Sequence, residues 1–128
     1  MIRPLALAAA LACLATPLAA QDPITRTEIS RSDLEGDPAR EVVISDLVIA
    51  PGAYVPKHVH PGSERMVVIE GGPVTLPNGA KADFPAGMAQ HFERGMVHAG
   101  ITNSGDTPIR LITVHVVDKG VPMTVAAE

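Results

Sequence analysis

The sequence predicts a single all-β domain, a sandwich or barrel of short strands. Its length of 128 residues suits one domain rather than two. All 11 glycines and 10 of the 12 prolines lie after residue 20 and interrupt almost every stretch there, which leaves little room for helices. The uninterrupted stretches 39–50 and 109–119 are rich in valine and isoleucine, which favour strands. Turn signals recur between these stretches at short intervals, as in all-β sandwiches and barrels.

Glycine and proline turns bound the individual strands. The turn Pro77-Asn78-Gly79 separates two short strands, while Pro51-Gly52 and Pro61-Gly62 enclose a third. Asn103-Ser104-Gly105 ends the strand before the last one. The predicted strands are residues 24–30, 41–49, 54–60, 64–70, 73–76, 80–84, 96–102 and 109–117.

The first twenty residues have the pattern of a secretory signal peptide. Arg3 supplies a positive start, residues 5–14 are an unbroken apolar run, and small residues lead to Ala20. The run is shorter than the ~20 residues that span a bilayer, so we expect no membrane segment in the mature form. The expected location is periplasmic or secreted, with cleavage near Ala20. A lipoprotein acylated at Cys13 and an N-terminal helix packed on the domain are the alternatives.

Charge and composition exclude some classes of function. The net charge of −4 and the 2% aromatic content argue against nucleic-acid binding, which needs basic surfaces and stacking rings. A single cysteine excludes a disulfide within the chain. Beyond the leader, residues 21–39 are predicted to form a polar arm or edge strand, 40–120 the domain, and 121–128 a tail.

Four residues form a candidate metal site. His58 and His60 are two residues apart, so on a strand both imidazoles point to the same face. The turn at residues 61–63 then brings Glu64, on an antiparallel neighbour, beside the two rings. His98, from a distant strand, is the best placed fourth ligand. Imidazoles with one carboxylate are typical of sites for Fe(II), Mn, Ni or Zn.

Two motifs in the sequence resemble those of the cupin superfamily. Residues 52–71, GAYVPKHVHPGSERMVVIEG, fit the first cupin motif, G-x5-H-x-H-x3-E-x6-G, at every defined position. Residues 87–98 resemble the second motif, G-x5-P-x-G-x2-H-x3-N, with Glu93 where the family has proline. Thr102 stands at the place of the family's asparagine, and Asn103 follows one position later.

The resemblance covers about residues 40–120 and implies a small single-domain cupin similar to the type 2 group. The implied fold is a jelly-roll β-barrel, or double-stranded β-helix. By the resemblance, one divalent transition metal ion is held by His58, His60, Glu64 and His98. Cupins also often pair through edge strands, so a homodimer is expected.

The expected function is a metal-dependent enzyme, a dioxygenase-like oxidoreductase that acts on a small organic molecule. Glu64 would take a proton. Tyr54 is an even number of residues from His58, so on one strand it would point to the same face, and it is a candidate catalytic proton donor. The alternatives are a non-redox isomerase or lyase at the same metal, and a cupin that binds a metal or small ligand without catalysis. The scarcity of aromatic residues favours a small aliphatic or carboxylate ligand.

Other polar residues near the motifs have weaker functional interpretations. His91 is either a pocket residue or, more often, an exposed loop histidine, and His115 is expected to be a hydrogen-bonded structural histidine. Glu93 is a general-base candidate, although a surface turn carboxylate is the commoner case. Lys57 and Arg65 alternate outward and are expected to be solvated.

Overall fold

The computed structural model describes residues 22–128, and within this range it contains strands and turns but no helix. The predicted signal peptide and Cys13 lie outside the described residues. No helix in the described part of the chain is long and apolar enough to cross a membrane. The strands are β1 (Ile24–Leu34), β2 (Asp37–Ile49), β3 (Tyr54–Val55), β4 (His58–Val59), β5 (Gly62–Glu70), β6 (Gly72–Thr75), β7 (Lys81–Phe84), β8 (Ala89–Phe92), β9 (Ile101–Asn103), β10 (Ile109–Asp118) and β11 (Val125–Ala126).

The largest sheet is antiparallel and has five strands in the order β1-β2-β10-β5-β8. β2 and β10 pair along their length, from Ile49 opposite Ile109 to Arg40 opposite Asp118. β1 is an edge strand, as its polar sequence suggests, and it pairs with β2. A four-stranded sheet, β3-β9-β6-β7, and the pair β11-β4 complete the described fold. The all-β prediction is confirmed.

The inner face of the large sheet is apolar at one end and polar farther along. In β10 every second residue from Ile109 to Val117 is buried, as alternation on a strand requires. Thr113, His115 and Glu64 are buried polar residues on this face. The polar groups that carry chemistry are therefore inside the fold and next to its core. The apolar core includes Ile49, Val68, Val74, Phe84, Ile109 and Leu111.

Two glycines at the two ends of β5 allow close approaches of the backbone. A Cβ on Gly71 would lie 2.1 Å from the carbonyl oxygen of Phe84, and one on Gly62 would lie 1.9 Å from that of Val116. These contacts are with backbone atoms, which cannot move without shifting a strand. Gly71, the last residue of the first motif, is therefore required because a larger residue would collide with the backbone of β7.

Asn103 explains one departure from the family pattern. Its side-chain amide donates hydrogen bonds to the carbonyl oxygens of Ile49 (3.0 Å) and Thr107 (2.9 Å), and its oxygen accepts one from the Gly105 N–H (3.0 Å). The side chain is buried, and the bond to Ile49 is fully shielded from water, whereas the other two bonds are partly buried. Asn103 stands one position after the family's asparagine, and its side chain connects the loop before β10 to β2 by these hydrogen bonds.

The predicted strand at residues 96–102 is wrong over most of its length. Only residues from Ile101 onward are in β9, while His98 makes an isolated bridge to His58. Ala99 and Gly100 have φ values of 67° and 70°, which a regular strand does not allow. The predicted strand 54–60 is divided into β3 and β4, and β8 and β11 were not predicted.

Candidate metal centre

The structure brings His58, His60, Glu64 and His98 together. One ligand atom from each residue lies within 4.8 Å of those from the other three. His58 is on β4, Glu64 is on β5, and His60 lies between these strands. His98 is held beside His58 because each of these two residues donates its backbone N–H to the other's carbonyl, at 3.1 and 3.2 Å. The convergence expected from the motif is present.

The three histidines are all oriented by backbone carbonyl groups. The Nδ1 atom lies 2.7 Å from Pro56 O in His58, 2.6 Å from Met123 O in His60, and 2.9 Å from Met96 O in His98. A carbonyl oxygen only accepts, so each Nδ1 must carry the proton. In its neutral form, a ring held in this way presents the lone pair of Nε2, the arrangement found in metal-ligating histidines.

The geometry of Glu64 fits a cation. Its Oε2 atom lies 3.0 Å from Nε2 of both His60 and His98. Lone pairs that face each other this closely repel unless a proton or a cation lies between them. Two ligand atoms about 2.1 Å from one ion and at right angles to each other are ~3.0 Å apart. Three imidazoles and one carboxylate thus fit a divalent transition metal ion.

The electrostatics of the cluster keep Glu64 ionised. Burial by itself would raise the pKa of Glu64, but in the metal-free cluster hydrogen bonds donated by Nε2–H of His60 and His98 outweigh it and hold the pKa far below its usual range. Burial also lowers the pKa of His58, whereas Glu64 overcomes burial and raises the pKa of His98. A charged carboxylate among neutral imidazoles is the donor set that a divalent ion requires.

His115 belongs to the surroundings of this cluster, which the sequence reasoning missed. It is 0% exposed, and its ring packs edge-on against that of His60 with centroids 4.6 Å apart. Its Nε2 is 3.6 Å from Oε1 of Glu64, and neither ring nitrogen has a hydrogen-bond partner among residues 22–128. The expectation of a hydrogen-bonded structural histidine is therefore wrong. Burial lowers the pKa of His115 to about 4. The alternation Ile109, Leu111, Thr113, His115 is the signal that places it inside.

Tyr54 does not reach the cluster, so its predicted position facing the site is wrong. It is 53% exposed, and the neighbouring Val55 lines the cavity instead. Tyr54 and His58 were expected to point to the same face of one continuous strand. The strand is instead interrupted at Pro56-Lys57, between the end of β3 at Val55 and the start of β4, so this alternation does not hold.

The remaining polar candidates are exposed. His91 is on β8 opposite Arg65, while Gln90 and Phe92, its neighbours, line the cavity. Glu93 is an exposed turn residue, and Lys57 and Arg65 are exposed as expected. His91 lies on a strand rather than in a loop, because residues of the second motif form β8, which pairs with β5 at the edge of the large sheet.

The cluster opens into a cavity of about 410 Å³. Phe92 stacks on the His98 ring with centroids 4.1 Å apart and planes inclined by 11°. Besides the ligands, Arg26, Gln90 and Thr124 are the polar side chains of the lining within the described residues. The sequence did not predict that Arg26 lines the cavity, because Arg26 lies before the two cupin motifs and belongs to neither. The apolar lining includes Leu47, Ile49, Val55, Met66, Phe84 and Leu111.

Fold and cluster together define a double-stranded β-helix protein with a histidine and glutamate site inside its sheets. A family model described as a cupin domain matches residues 45–115. The chain therefore belongs to the cupin family. No curated protein matches the sequence significantly.

Solved structures agree with this fold. An uncharacterised protein with a double-stranded β-helix domain from Klebsiella pneumoniae is 23% identical with a TM-score of 0.60, over 85% of this chain and 88% of that one. A polyketide cyclase from Streptomyces resistomycificus is 21% identical with a TM-score of 0.58, over 83% and 73%. A DMSP lyase from Ruegeria pomeroyi is 17% identical with a TM-score of 0.60, over 83% of this chain and 52% of the lyase. These similarities concern the fold.

Proposed function

We propose that this chain is a metal-dependent cupin enzyme that acts on a small organic molecule, as an oxidoreductase of the dioxygenase type. The observation that carries the proposal is the cluster itself. Three imidazoles have Nδ1 fixed on backbone carbonyls, and they surround the ionised Glu64 at one side of a 410 Å³ cavity. Nε2 of two of these rings lies 3.0 Å from Glu64 Oε2. Pockets for small molecules have volumes of roughly 300–1,000 Å³.

The chain's own residues prepare the site for chemistry. His58, His60, Glu64 and His98 would hold the ion, which supplies Lewis acidity and, if it is redox-active, electron transfer. Apolar side chains surround the cavity and limit the access of water, which strengthens electrostatic interactions with a bound molecule. Phe92 restricts the ring of His98 by stacking on it.

A lyase or isomerase at the same ion is the second candidate, and the free oxygen of Glu64 favours it. Oε2 faces two imidazoles, whereas Oε1 accepts no hydrogen bond from residues 22–128. In this candidate function, Oε1 would be the oxygen that moves a substrate proton without a redox step. A DMSP lyase and a polyketide cyclase are among the solved structures that share this fold.

Metal content tests the proposal directly. The wild-type protein should contain about one transition metal ion per chain by elemental analysis, and His58→Ala/His60→Ala should lose it. His91→Ala, which removes an exposed histidine on the outer side of β8, is the matched control and should keep the ion. Equal metal content in the wild type and the double variant would contradict the site assignment.

Oxygen dependence then separates the two reaction classes. Candidate enolic or phenolic substrates are incubated without oxygen and then with air. An oxygenase forms product only after air is admitted, and oxygen is consumed with it. Equal product without oxygen would exclude the oxygenase and support the lyase or isomerase. No turnover of any substrate by a metal-loaded protein would instead favour a binding function.

We also propose export and a homodimer. The signal-peptide pattern of residues 1–20 supports export, and β1, an edge strand, offers a surface for a second copy. Mass spectrometry of protein from the producing cell should find a chain that begins near Gln21. Light scattering should give twice the mass of the processed chain. An intact Met1 or a monomeric mass would refute the respective proposal.

A further inference from the structure

Arg26 is a cation directed into the cavity. It lies on the edge strand β1, pairs with Leu47 of β2, and lines the cavity together with Leu47. Its Nη1 atom donates a hydrogen bond of 3.0 Å to Oγ1 of Thr113, which is 0% exposed. Thr113 is two residues from His115 on the inner face of β10, so the guanidinium and the His/Glu cluster share one cavity.

Arg26 has no carboxylate partner. No Asp or Glu among residues 22–128 lies within 4.0 Å of its guanidinium, and residues 1–21 contain no acidic residue at all. Arg65 is exposed on the outer face and can be solvated. The other described arginines all form ion pairs: Arg31 with Glu28 and Glu41, Arg40 with Asp37, Arg94 with Asp118, and Arg110 with Asp46.

The surroundings of Arg26 restrict the anion that it can bind. Arg26 keeps exposed surface, part of which lines the cavity. Desolvation lowers the pKa of its guanidinium, and the charge of Glu64 only partly opposes this effect. A guanidinium has five N–H donors in a planar fork, of which Thr113 takes one. The fork matches the two oxygens of a carboxylate. Because Glu64 carries a negative charge in the same cavity, a single negative charge fits better than a phosphate dianion.

We propose that Arg26 is the specificity-determining residue of the cavity and selects monocarboxylates with a compact apolar body. The carboxylate pairs with the guanidinium, the body lies against Leu47, Phe84 and the other apolar walls, and adjoining atoms face the His/Glu cluster. This inference rests on the proposed function, since it names the substrate class of the same site. It gives a reason for a cation without a carboxylate partner in a largely apolar wall.

Calorimetry with a matched pair of probes tests the assignment. Hexanoate and the neutral hexanamide have the same chain length, and each is titrated into the EDTA-treated protein at millimolar concentration. Hexanoate should bind about 10-fold or more tightly than hexanamide, the difference expected for hydrogen bonds to a charged group. Arg26→Gln should remove this preference without changing hexanamide binding, and Arg31→Gln, on the same strand but outside the cavity lining, should keep it.

Further variants and a titration with metal distinguish a failure of this inference from a failure of the proposed metal function. Arg26→Lys keeps the charge but not the fork, so it should retain part of the preference, and it replaces Arg26→Gln if that variant does not fold. Equal binding of the two probes, or no binding, would overturn the inference while leaving the metal site intact. The preference should persist in His58→Ala/His60→Ala. A preference that requires Mn²⁺ and survives Arg26→Gln would show that the metal holds the carboxylate, and would refute the role of Arg26.

Discussion

Replacement of Glu64 by glutamine should have opposite effects on the metal-free and metal-loaded protein. In the wild type, Oε2 faces the Nε2 atoms of His60 and His98 at 3.0 Å each. Glu64 raises the pKa of His98 despite its burial, so an imidazolium attraction stabilises the metal-free fold at low pH and is lost as the pH rises through that raised pKa. At a pH above that raised pKa, the neutral ring of His98 faces the carboxylate with its Nε2 lone pair.

The amide of glutamine reverses this situation. Its NH₂ group has two N–H donors for the two Nε2 acceptors, and each hydrogen bond contributes about 0.5–1.5 kcal/mol. The free energy of unfolding of metal-free Glu64→Gln should therefore exceed that of the wild type by about 1–3 kcal/mol at this pH. The metal should stabilise the wild type by about 2.7 kcal/mol at 100 times its Kd, and Glu64→Gln should lose most of this gain.

Thermal unfolding with and without Mn²⁺ measures both effects. For a domain of this size, the wild-type gain corresponds to a rise of roughly 10–20 °C in Tm. His91→Ala is the control, because its exposed histidine lies on the outer side of β8 and should leave the rise unchanged. If Glu64→Gln keeps the wild-type rise in Tm, or if the metal-free variant is strongly destabilised, the reasoning about the facing lone pairs is refuted.

Three further variants test packing and electrostatics outside the cluster. Gly71→Ala should lower the free energy of unfolding in urea by about 2 kcal/mol or more, because its Cβ would meet the Phe84 carbonyl at 2.1 Å; wild-type stability would contradict this packing. Asn103→Ala removes three hydrogen bonds and should lower it by about 2–4 kcal/mol, whereas Asn78→Ala, in an exposed turn, should change it little. Hydrogen bonds from Arg110 lower the pKa of Asp46, so the stability that this pair contributes is present above pH 3.8 and is lost as the pH falls through the lower folded-state pKa. In thermal scans between about pH 6 and pH 2, Asp46→Asn should lose less stability than the wild type, and parallel curves would rule out a contribution from Asp46.

The metal motif was predictable because its geometry is local. His58 and His60 are separated by two residues, and a short turn connects them to Glu64. Strand alternation and antiparallel pairing are backbone properties that hold in any sheet, so the side chains converge wherever the sheet is placed. The all-β class followed in the same way from the frequent turns and the Val/Ile-rich strands.

The irregular connections were not predictable from local pattern. His98 reaches the cluster from an isolated bridge to His58, followed by Ala99 with a φ of 67°, rather than from the expected strand. His60 is oriented by the carbonyl of Met123, in a segment that looked like a free tail. In both cases, contacts between distant parts of the chain determine the conformation more strongly than the intrinsic preference of the segment.

The sequence by itself thus determined the fold class, the family motif and the four residues that converge in the candidate metal centre. Only the tertiary structure decided which other side chains face that centre. It placed Tyr54 outside, buried His115 against His60, and directed Arg26 into the cavity. The physical reason is that orientation along one strand depends on local alternation, whereas the surroundings of a side chain depend on which distant strands pair beside it.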